Sequence, residues 1–551
     1  MASQSSDLHT ILRRHFGHAE FRDAQHGLVR TVLDGEDLLA VMPTGAGKSL
    51  GFQLPALLLH GVTLVVSPLI SLMKDQVDEL EVRGIAAAAL HSQSAPGDRQ
   101  QVRRALREGA LRLLYVAPER FASEAFLSLL AEIRVARFVV DEAHCVSEWG
   151  HDFRPDYRRL KSAADRCHRG DGHAGRPPMA AFTATATPEV REDIVGLLGL
   201  RSPRIVVAGF DRPNIRLYVQ PVAGNAEKHA RLPHLVGRGR TLVYAATRKG
   251  ATAAAATLGA AGRTAAAYHA GLPAAERTEV QEAFASGNLH IVCATNAFGM
   301  GIDRPDVETV VHLDLPGSIE AYYQEIGRAG RDGRPATATL LWHYADIRTR
   351  EFLIDRARIG SGRPEVALDA GELARRKAIE HAKLGRMVAY AETAGCLRAT
   401  ILRYFGDAAA REPCGACGNC DRAAPLDPPS RLLLRKILSG IARAGERYGR
   451  RNIVGMLVGV VDALPVSLTR LSTTGLLCDE PPRTIERWID AACSAGLIRV
   501  SGDRYRTLGL TPLGRDVMAG RVEQVVLAAP VLRPSAPRRV RRSSERRRKR
   551  A

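Results

Sequence analysis

Short apolar runs alternate with helical patterns along the first part of the chain. Between about residues 35 and 205 these runs are LLAVM, TLVVSP, LRLLYVAPE, ARFVVDEA and MAAFTATAT. A second series lies at 240–248, 264–271, 289–296 and 309–316. Apolar runs separated by helical patterns are typical of parallel strands covered by helices. The pattern therefore predicts an α/β fold with two tandem parallel-sheet domains.

Beyond residue 345 the pattern becomes helical and passes through a cysteine cluster near residue 415. Further helices are predicted for RKILSGIARAGERYG, RNIVGMLVG and RTIERWIDAACSAGLI, followed by a hairpin that turns at Gly502 and Asp503. The expected divisions are two α/β domains at 1–205 and 206–345, a helical cysteine-bearing subdomain at 346–425, a helix-and-hairpin domain at 430–521, and a basic tail at 522–551.

Composition limits the class of protein. The chain has 551 residues, of which 45% are hydrophobic, enough for several domains with their own cores. No apolar run approaches the roughly 20 residues that span a bilayer, and MASQSSDLHT lacks the layout of a signal peptide. Nine cysteines are too few for a disulfide scaffold of this length. We therefore expect a soluble intracellular protein.

The net charge of +19 indicates a polyanionic partner, most simply nucleic acid. The segment PRRVRRSSERRRKR has nine positive charges and one negative, so it supplies +8 and the rest of the chain +11. Solubilising surface charge is the alternative explanation for the +11. The tail cannot bury a core, so we expect it to be disordered and to bind DNA without sequence preference.

The stretch VMPTGAGKSL at residues 41–50 follows an apolar run and precedes a helical pattern. Its glycines allow backbone N–H groups to approach phosphate oxygens, Lys48 can reach the β- and γ-phosphates, and Ser49 can ligate Mg²⁺. Met42 stands where the full phosphate-loop pattern has its first glycine. The context still predicts ATP binding. The predicted cofactor-binding residues of this loop are Thr44, Gly45, Gly47, Lys48 and Ser49.

Two adjacent acids follow the apolar run FVV, where ligands of open α/β sheets bind. Asp141 suits Mg²⁺, and Glu142 can orient and deprotonate an attacking water. Acids at a strand end are usually only solvated, but this pair accompanies a phosphate loop. The sequence therefore predicts Lys48, Asp141 and Glu142 as catalytic residues.

These motifs resemble those of superfamily 2 helicases: PTGAGKS, DEAH and TAT in the first domain, ATNAFGMGIDRP and YYQEIGRAGRDG in the second. The resemblance is closer still to the RecQ family of DNA helicases. FRDAQ, SPLISLMKDQ, YVAPER, DEAHCVSEWGHDFRPDY, FDRPNI and YHAGL occur in that family's order, and the likeness covers about residues 8–520. It implies that both α/β domains are RecA-like lobes.

The resemblance also implies roles for individual residues. Gln25, with Arg22 beside it, resembles the family's adenine-reading glutamine. Arg328 and Arg331 resemble the arginines that meet the γ-phosphate, where a guanidinium stabilises the charge of the transferring phosphoryl group. His18 stands where relatives often have an aromatic ring, so stacking on the adenine is expected to differ.

The segment SEWGHDFRPDY, residues 147–157, resembles the aromatic-rich loop of the family. Trp149 and Phe153 would offer flat faces to unstacked bases, while His151 and Arg154 would supply polar contacts. The alternative for the aromatic residues is structural packing. We expect these four residues to bind single-stranded DNA.

Four cysteines predict a structural Zn²⁺ site. Three follow the CxxCxxC spacing of CGACGNC, and one comes from the preceding CLRATILRYFG. Four thiolates suit a closed tetrahedral site, although free thiols or a disulfide remain alternatives. The predicted ligands are Cys396, Cys414, Cys417 and Cys420. The pattern resembles the RecQ zinc-binding subdomain, and its expected role is folding.

The helices and hairpin that follow resemble the winged-helix domain of RecQ proteins. Arg504 and Tyr505 lie just past the turn of a short wing, and the sequence leaves open whether this wing separates strands. About 30 residues remain after this domain. They are rich in Pro and Arg, so the helicase-and-RNaseD C-terminal domain of many relatives is not expected here.

The resulting hypothesis is an ATP-dependent DNA helicase that moves 3′ to 5′, as the resemblance implies, and acts in DNA repair or recombination. Its cofactors would be ATP, Mg²⁺ and Zn²⁺, and its partners single-stranded and tailed or branched duplex DNA, without a membrane. It would be cytoplasmic and nucleoid-associated in a bacterium, or nuclear in a eukaryote. The alternatives are an RNA-dependent ATPase or remodeller, and a winged-helix DNA-binding regulator with an inactive motor.

Overall fold

The fold is taken from a computed structural model of the chain. It describes residues 8–22, 24–43, 45–150, 152–170, 175–296, 298, 304–356, 370–460, 464–501, 507–522 and 524–528. Several predictions lie outside these residues. They concern Thr44, His151, the wing at 502–506 and the tail from 529 onward.

The first lobe contains a seven-stranded sheet whose paired strands are all parallel. The strands are β1 (Leu38–Val41), β2 (Val62–Val66), β3 (Ala87–Leu90), β4 (Leu113–Val116), β5 (Val135–Val140), β6 (Met179–Thr183) and β7 (Arg204–Val207), in the order β3-β4-β2-β5-β6-β1-β7. Strands β1, β2, β4 and β6 are buried along their whole length, which explains their continuous apolar sequences.

Helices connect these strands, as parallel pairing requires. They are α1 (Gln25–Leu33), α2 (Leu50–Leu58), α3 (Ile70–Val82), α4 (Pro96–Arg107), α5 (Glu124–Glu132), α6 (Leu160–Asp165) and α7 (Pro188–Leu198). Short helical turns lie at Leu12–Phe16, Pro118–Ala122, Ala143–Val146 and Pro155–Arg159. The core of the lobe includes Leu38, Phe52 and Phe182, and the last two rings meet edge to face at 5.3 Å.

The second lobe has a six-stranded parallel sheet. Its strands are β8 (Ile215–Pro221), β9 (Arg240–Tyr244), β10 (Ala265–Tyr268), β11 (Ile291–Ala294), β12 (Val307–His312) and β13 (Ala336–Trp342), in the order β10-β11-β9-β12-β13-β8. The helices are α8 (Asn225–Leu235), α9 (Arg248–Ala260), α10 (Ala274–Ser286) and α11 (Ile319–Ile326). The two parallel sheets confirm the predicted pair of α/β lobes.

Helices follow the second lobe. They are α12 (Tyr344–Arg356), the long α13 (Ala370–Glu392), α14 (Leu397–Tyr404) and α15 (Gly418–Arg422). By backbone contacts, both sheets and helices α1 to α14 belong to one compact unit. In this unit α14 lies against the second lobe, where Arg398 binds Asp211 at 2.6 Å and Phe405 stacks on Phe210.

The second compact unit contains α16 (Pro428–Arg443), α17 (Arg450–Val458), α18 (Val466–Thr469), α19 (Pro482–Ser494) and α20 (Pro512–Ala519). Two antiparallel pairs accompany them: β14 (Ala423–Pro425) with β17 (Val526–Ala528), and β15 (Ile498–Val500) with β16 (Leu508–Leu510). Trp488, Ile437 and Leu508 are among its core residues. Helices around a β15-β16 hairpin confirm the predicted arrangement of this region.

Two predicted helices are shorter than expected. The stretch RTIERWIDAACSAGLI is predicted to be helical to Ile498, but α19 ends at Ser494 and Ile498 begins β15. The stretch RKILSGIARAGERYG is predicted to be helical throughout, but α16 ends at Arg443. Gly445 and Glu446 have φ values of 72° and 56°, which a right-handed helix excludes. Among the described helices, none combines the length and apolar character needed to cross a membrane.

Candidate active site

The phosphate loop begins one residue later than the full motif predicts. The N–H of Met42 donates to the Thr183 carbonyl at 2.9 Å, so the β1 ladder continues through the position where the motif has glycine. Met42 is 2% exposed and belongs to the core of the lobe. The fold therefore accommodates an apolar side chain at residue 42. The sharp turn of the phosphate loop is made by Gly45 and Gly47 instead.

Both glycines of the loop have left-handed backbone, with φ of 84° at Gly45 and 75° at Gly47. A Cβ atom on Gly47 would lie 2.2 Å from Gln25 Nε2, and one on Gly45 would lie 3.4 Å from Arg331 Cγ. The left-handed backbone thus favours glycine at both positions, and at residue 47 a side chain would also displace the Gln25 amide. The second contact shows that Arg331, from the second lobe, packs against the phosphate loop.

Two residues of FRDAQ bind the loop through its carbonyl groups. Gln25 Nε2 donates to the Ala46 and Gly47 oxygens at 3.1 and 3.2 Å, and Arg22 Nη1 donates to the Gly45 oxygen at 2.6 Å. The Arg22 N–H in turn donates to Gln25 Oε1 at 2.9 Å. These side chains therefore fix the path of the phosphate loop, a role that the sequence did not suggest.

Asp141 and Glu142 follow β5 and face the phosphate loop. Lys48 Nζ lies 3.5 Å from Glu142 Oε1, and His144 Nδ1 lies 3.3 Å from Glu142 Oε2. Glu142 has a φ of 46°, in the left-handed region. Burial, together with the neighbouring charge of Glu142, raises the pKa of Asp141 to about 6. The Asp141 carboxyl therefore loses its proton less readily than an exposed aspartate.

The second lobe contributes its arginines to the same cleft, whose volume is about 550 Å³. Its lining includes His18, Arg22, Gln25, Gly45, Gly47, Lys48, Ser49, Glu142, Arg328 and Arg331. The structure thus brings together the phosphate loop, the general base candidate and both predicted arginines. Such an arrangement can hold a nucleoside triphosphate and stabilise charge at its terminal phosphate.

A hydrogen-bonded path joins the two lobes beside this cleft. Gln324 Nε2 donates to Thr185 Oγ1 at 3.2 Å, and Thr183 Oγ1 lies 2.8 Å from His144 Nδ1. The Thr185 N–H approaches Thr183 Oγ1 at 3.3 Å. Sequence reasoning assigned no role to Gln324 or His144. Both residues lie inside motifs that the sequence singles out, Gln324 in QEIGRAGRDG and His144 in DEAH, and this position could have marked them as site residues.

In the aromatic loop, Trp149 and Phe153 differ in exposure. Trp149 is 38% exposed, with the Arg386 guanidinium carbon 5.7 Å from its ring centroid. Phe153 is 8% exposed, and the Arg158 and Arg376 guanidinium carbons lie 5.0 and 4.5 Å from its centroid. Trp149 can therefore offer a ring face to a base, whereas the ring of Phe153 is covered, in contrast to the expectation.

Arg154 is engaged within the protein. Its Nη1 donates to the Pro68 carbonyl at 2.8 Å, while Nε and Nη2 donate to Asp152 Oδ2 at 3.2 and 3.0 Å. These bonds tie the loop to the SPLISLMKDQ segment of the first lobe. Arg154 therefore shapes the loop in this conformation.

Helix α13 holds the outer side of the aromatic loop. Lys383 Nζ lies 2.6 Å from the Gly150 carbonyl, and Arg375 Nε lies 3.0 Å from Glu148 Oε2. On the inner side, a Cβ on Gly150 would lie only 2.0 Å from the His144 carbonyl oxygen. The loop thus packs directly on the residue that contacts Glu142.

Within the part of the chain that the structure describes, no disulfide joins any of the cysteines, so the disulfide alternative is not formed. The Sγ atoms of Cys396, Cys414, Cys417 and Cys420 all lie within 4.8 Å of one another. A Zn–S bond of about 2.3 Å places the sulfurs of a tetrahedral site about 3.8 Å apart. The four thiols therefore fit Zn²⁺, as predicted.

Comparison with known proteins identifies the family. Family models match the chain in succession: DEAD/DEAH box helicase at 22–194, helicase conserved C-terminal domain at 227–333, RecQ zinc-binding at 344–421 and RQC domain at 431–535. The chain is 38% identical to the ATP-dependent DNA helicase RecQ of Bacillus subtilis, over 93% of this chain and 84% of that protein. The chain belongs to the RecQ family of ATP-dependent DNA helicases.

Other RecQ relatives agree. The ATP-dependent DNA helicase RecQ of Pasteurella multocida is 38% identical over 94% of this chain and 79% of its own length. Among solved structures, the DUF1998 helicase MrfA bound to DNA and AMPPNP has a TM-score of 0.51 at 22% identity, covering 68% of this chain and 56% of that one. At this identity the likeness concerns the fold alone.

Membership of the RecQ family confirms the predicted enzyme class and favours it over both alternatives. ATP is the nucleotide of the family, and the matched RecQ zinc-binding segment contains the four-cysteine cluster. The matched RQC segment contains all but the first three residues of α16, the helices α17 to α20 and the β15-β16 hairpin. Neither an RNA-dependent remodeller nor an inactive regulator is supported by these matches.

Proposed function

We propose that this RecQ protein hydrolyses ATP between its two lobes and uses the resulting motion to move 3′ to 5′ along single-stranded DNA and separate duplexes. The observation that supports this most strongly is the shared cleft. Lys48 and Glu142 of the first lobe lie in it with Arg328 and Arg331 of the second. Hydrolysis that needs groups from both lobes depends on how closely the lobes approach.

In the proposed reaction, Lys48 binds the β- and γ-phosphates, and the loop glycines present their N–H groups to phosphate oxygens. Ser49 and Asp141 would hold Mg²⁺, which neutralises phosphate charge when bound. The raised pKa of Asp141 supports this, because a buried carboxyl beside a second carboxylate is stabilised in its charged form by a cation.

Glu142 would orient the attacking water and accept its proton as the water oxygen bonds to the γ-phosphorus and the bond to ADP breaks. Lys48 and His144 contact its two carboxylate oxygens and so fix its orientation. Arg328 and Arg331 would stabilise the charge on the transferring phosphoryl group, an effect worth about 10³ to 10⁵ in rate for arginine fingers.

DNA would control this step through the aromatic loop. Trp149 has an exposed ring on which a base can stack. Gly150, the next residue, packs on the His144 backbone, and the His144 side chain contacts Glu142. A displacement of the loop by DNA would therefore reach the general base through two contacts.

The zinc cluster would be structural, since four thiolate ligands leave no open position on a tetrahedral ion. The winged-helix region would bind duplex DNA. Together these features suit 3′-tailed or branched DNA as the substrate and a role in repair or recombination. The protein would accordingly be found with the DNA, in the cytoplasm of a bacterium or the nucleus of a eukaryote.

The test is to measure ATPase and strand separation on 3′-tailed, 5′-tailed and blunt duplexes, with single-stranded RNA as a further activator. We expect separation of the 3′-tailed duplex and strong stimulation by DNA alone. Lys48→Ala should abolish hydrolysis while DNA affinity remains, and Glu142→Gln should bind ATP without turnover. Preference for the 5′-tailed duplex, or hydrolysis by Lys48→Ala, would contradict the proposal.

A further inference from the structure

Helix α13 carries an exposed arginine beside the tryptophan of the aromatic loop. Arg386 lies three residues after Lys383, in the same compact unit as that loop. The Arg386 guanidinium carbon lies 5.7 Å from the centroid of the Trp149 ring and 5.8 Å from that of the Tyr404 ring. Both distances fall within the roughly 6 Å over which a cation is attracted to a ring face. The guanidinium is therefore held between two aromatic rings.

The second of these rings is fixed by its own contacts. The Tyr404 hydroxyl donates to Glu320 Oε1 at 2.6 Å, and the Tyr404 ring meets that of Phe405 edge to face with centroids 5.2 Å apart. Glu320 is 4% exposed and lies on α11 of the second lobe. Tyr404 thus supports Arg386 from an anchored position, and the positive charge beside Trp149 has a defined place in the DNA-free protein.

Arg386 differs from its neighbour Arg375 in the groups that it contacts. Arg375 binds the Glu148 carboxylate, with Nε 3.0 Å from Oε2 and Nη2 2.8 Å from Oε1. A carboxylate held in this way uses the same donors that a phosphate would need. Contacts with ring faces leave most of the N–H donors of a guanidinium for other acceptors. Arg386 is therefore better suited than Arg375 to bind an incoming anion.

The position of Trp149 indicates which anion would reach this guanidinium. Trp149 is 38% exposed, so a base can stack on its ring. A stacked base remains joined through its sugar to a phosphate of the same strand. Because the Arg386 side chain lies against the same ring, that phosphate would enter the space beside it.

We propose that Arg386 binds a phosphate of the single strand whose base stacks on Trp149, so that helix α13 supplies part of the DNA-binding site. This rests on the role proposed above for Trp149. Arginine suits the task because its planar guanidinium matches two phosphate oxygens, while its charge is attracted to aromatic rings. Proteins that bind single strands without sequence preference combine stacking rings with cations along the backbone in this way.

Arg386→Met in the full chain tests the proposal, since it removes the charge and keeps an unbranched apolar side chain. Fluorescence anisotropy with a labelled oligo(dT) would give the Kd at several KCl concentrations. At low salt the Kd should rise about tenfold, the scale of one hydrogen bond to a charged group. The slope of log Kd against log[KCl] should fall by roughly 0.7, the value of one phosphate contact on a single strand. An unchanged slope would overturn the proposal.

Arg386→Lys separates the charge from the packing of the side chain. Lysine keeps a positive charge that can bind phosphate but lacks the planar fork of donors. This variant should therefore keep the wild-type salt slope, with a smaller rise in Kd than Arg386→Met. An equal loss of slope in both variants would show that the charge of residue 386 does not bind phosphate, and would contradict the proposal.

Lys377→Met is the matched control for loss of a positive charge on α13. Lys377 lies nine residues before Arg386, about two and a half turns of a helix, and so on the opposite face. Its ammonium donates to the Asp355 carbonyl at 2.6 Å. Both the Kd and the salt slope should stay near those of the wild type. If the slope fell equally in Lys377→Met and Arg386→Met, the effect would come from net charge and the proposal would be rejected.

Trp149→Ala distinguishes this inference from the proposed function. Unchanged DNA affinity in that variant would reject the role of the Trp149 ring, and with it the basis of the inference. Weaker binding by Trp149→Ala beside a wild-type salt slope in Arg386→Met would keep the role of the ring and reject the phosphate contact of Arg386.

Discussion

The Lys383 ammonium lies 2.6 Å from the Gly150 carbonyl oxygen and joins helix α13 to the loop that follows Asp141 and Glu142. The Lys383 side chain is only 1% exposed, and its second partner is Glu380 Oε1 at 2.9 Å. A buried ammonium with two oxygen partners fixes the loop from its outer side. The position of the aromatic loop is thus set by helix α13 as well as by the first lobe.

Replacing this lysine should loosen the loop. Lys383→Met keeps the length of the side chain but leaves the Gly150 carbonyl without its buried donor. We expect the free energy of unfolding to fall by about 1–3 kcal/mol. Stimulation of ATPase by single-stranded DNA should also fall, while basal ATPase persists.

Lys377→Met is the control for that variant, because Lys377 lies on the same helix with an exposed bond to the Asp355 carbonyl. It should match the wild type in thermal unfolding and in DNA stimulation. An unchanged stimulation ratio in Lys383→Met would show that anchoring of the loop does not affect coupling.

The two aromatic residues of the loop should give different phenotypes. Trp149→Ala removes an exposed ring, so single-stranded DNA binding should weaken by about 1–3 kcal/mol, the value of one stacked base. Its melting temperature should remain near that of the wild type. Trp149→Phe should recover much of the affinity, which fluorescence anisotropy with a labelled oligonucleotide would measure.

Phe153→Ala should instead destabilise the fold. Its ring is buried between two guanidinium groups, and Phe→Ala changes at buried positions cost about 3–5 kcal/mol. DNA stimulation should fall because the loop loses its shape. If Phe153→Ala weakened DNA binding with no change in thermal unfolding, the ring would contact bases directly.

Both sheets were largely predictable from the sequence. The predicted apolar runs correspond to β1, β2, β4, β5, β6, β9, β10, β11 and β12. The strands without a prediction are β3, β7, β8 and β13. Three of these lie at sheet edges, where a strand is covered on fewer sides and its sequence is less uniformly apolar. Strand β3 is AAAL, and alanine has low strand propensity.

The site was predictable where one motif supplies the chemistry. Lys48 and Glu142 were named from local patterns and the two arginines from the family resemblance, and the structure places all four in one cleft. The position of Lys383 was not predictable. Its ammonium contacts the Gly150 carbonyl, more than 200 positions away in the chain, and a sequence pattern contains no record of such packing.

Removal of one zinc ligand should lower the stability of the fold more than it changes the activity of the folded enzyme. Cys417 is fully buried, and Cys417→Ser should reduce the zinc content below one ion per chain and lower the melting temperature. Cys478→Ser, at an exposed thiol, should retain full zinc and stability. Elemental analysis and thermal unfolding would measure both. Wild-type protein purified without zinc would reject the site.

Acid should weaken the first lobe through Asp37. This carboxylate is bound by Arg176, with Nη2 at 2.6 Å from Oδ2, and by the N–H groups of Met179 and Arg201. Burial alone would raise its pKa, but these bonds outweigh burial and hold the pKa below the usual 3.8. Its contribution to stability is therefore present above pH 3.8 and is lost as the pH falls toward the lower folded-state value.

Asp37→Asn should consequently destabilise the protein at pH 7 by about 3–5 kcal/mol, because Arg176 is left buried without its partner. The difference from the wild type should shrink as the pH falls below about 4. Asp165→Asn, at an exposed position, should show neither effect. A pH-independent difference in urea unfolding would mean that the ionised carboxylate is not the source of the stability.

The left-handed backbone at Glu142 has a consequence for the evolution of this enzyme. At a φ of 46° glycine would be more favourable than any L side chain by about 1 kcal/mol, so the backbone conformation alone favours glycine over glutamate here. Replacement by glycine would relieve this strain but would remove the proposed general base. Under the proposed mechanism, ATP turnover is therefore the property that keeps a carboxylate at this strained position.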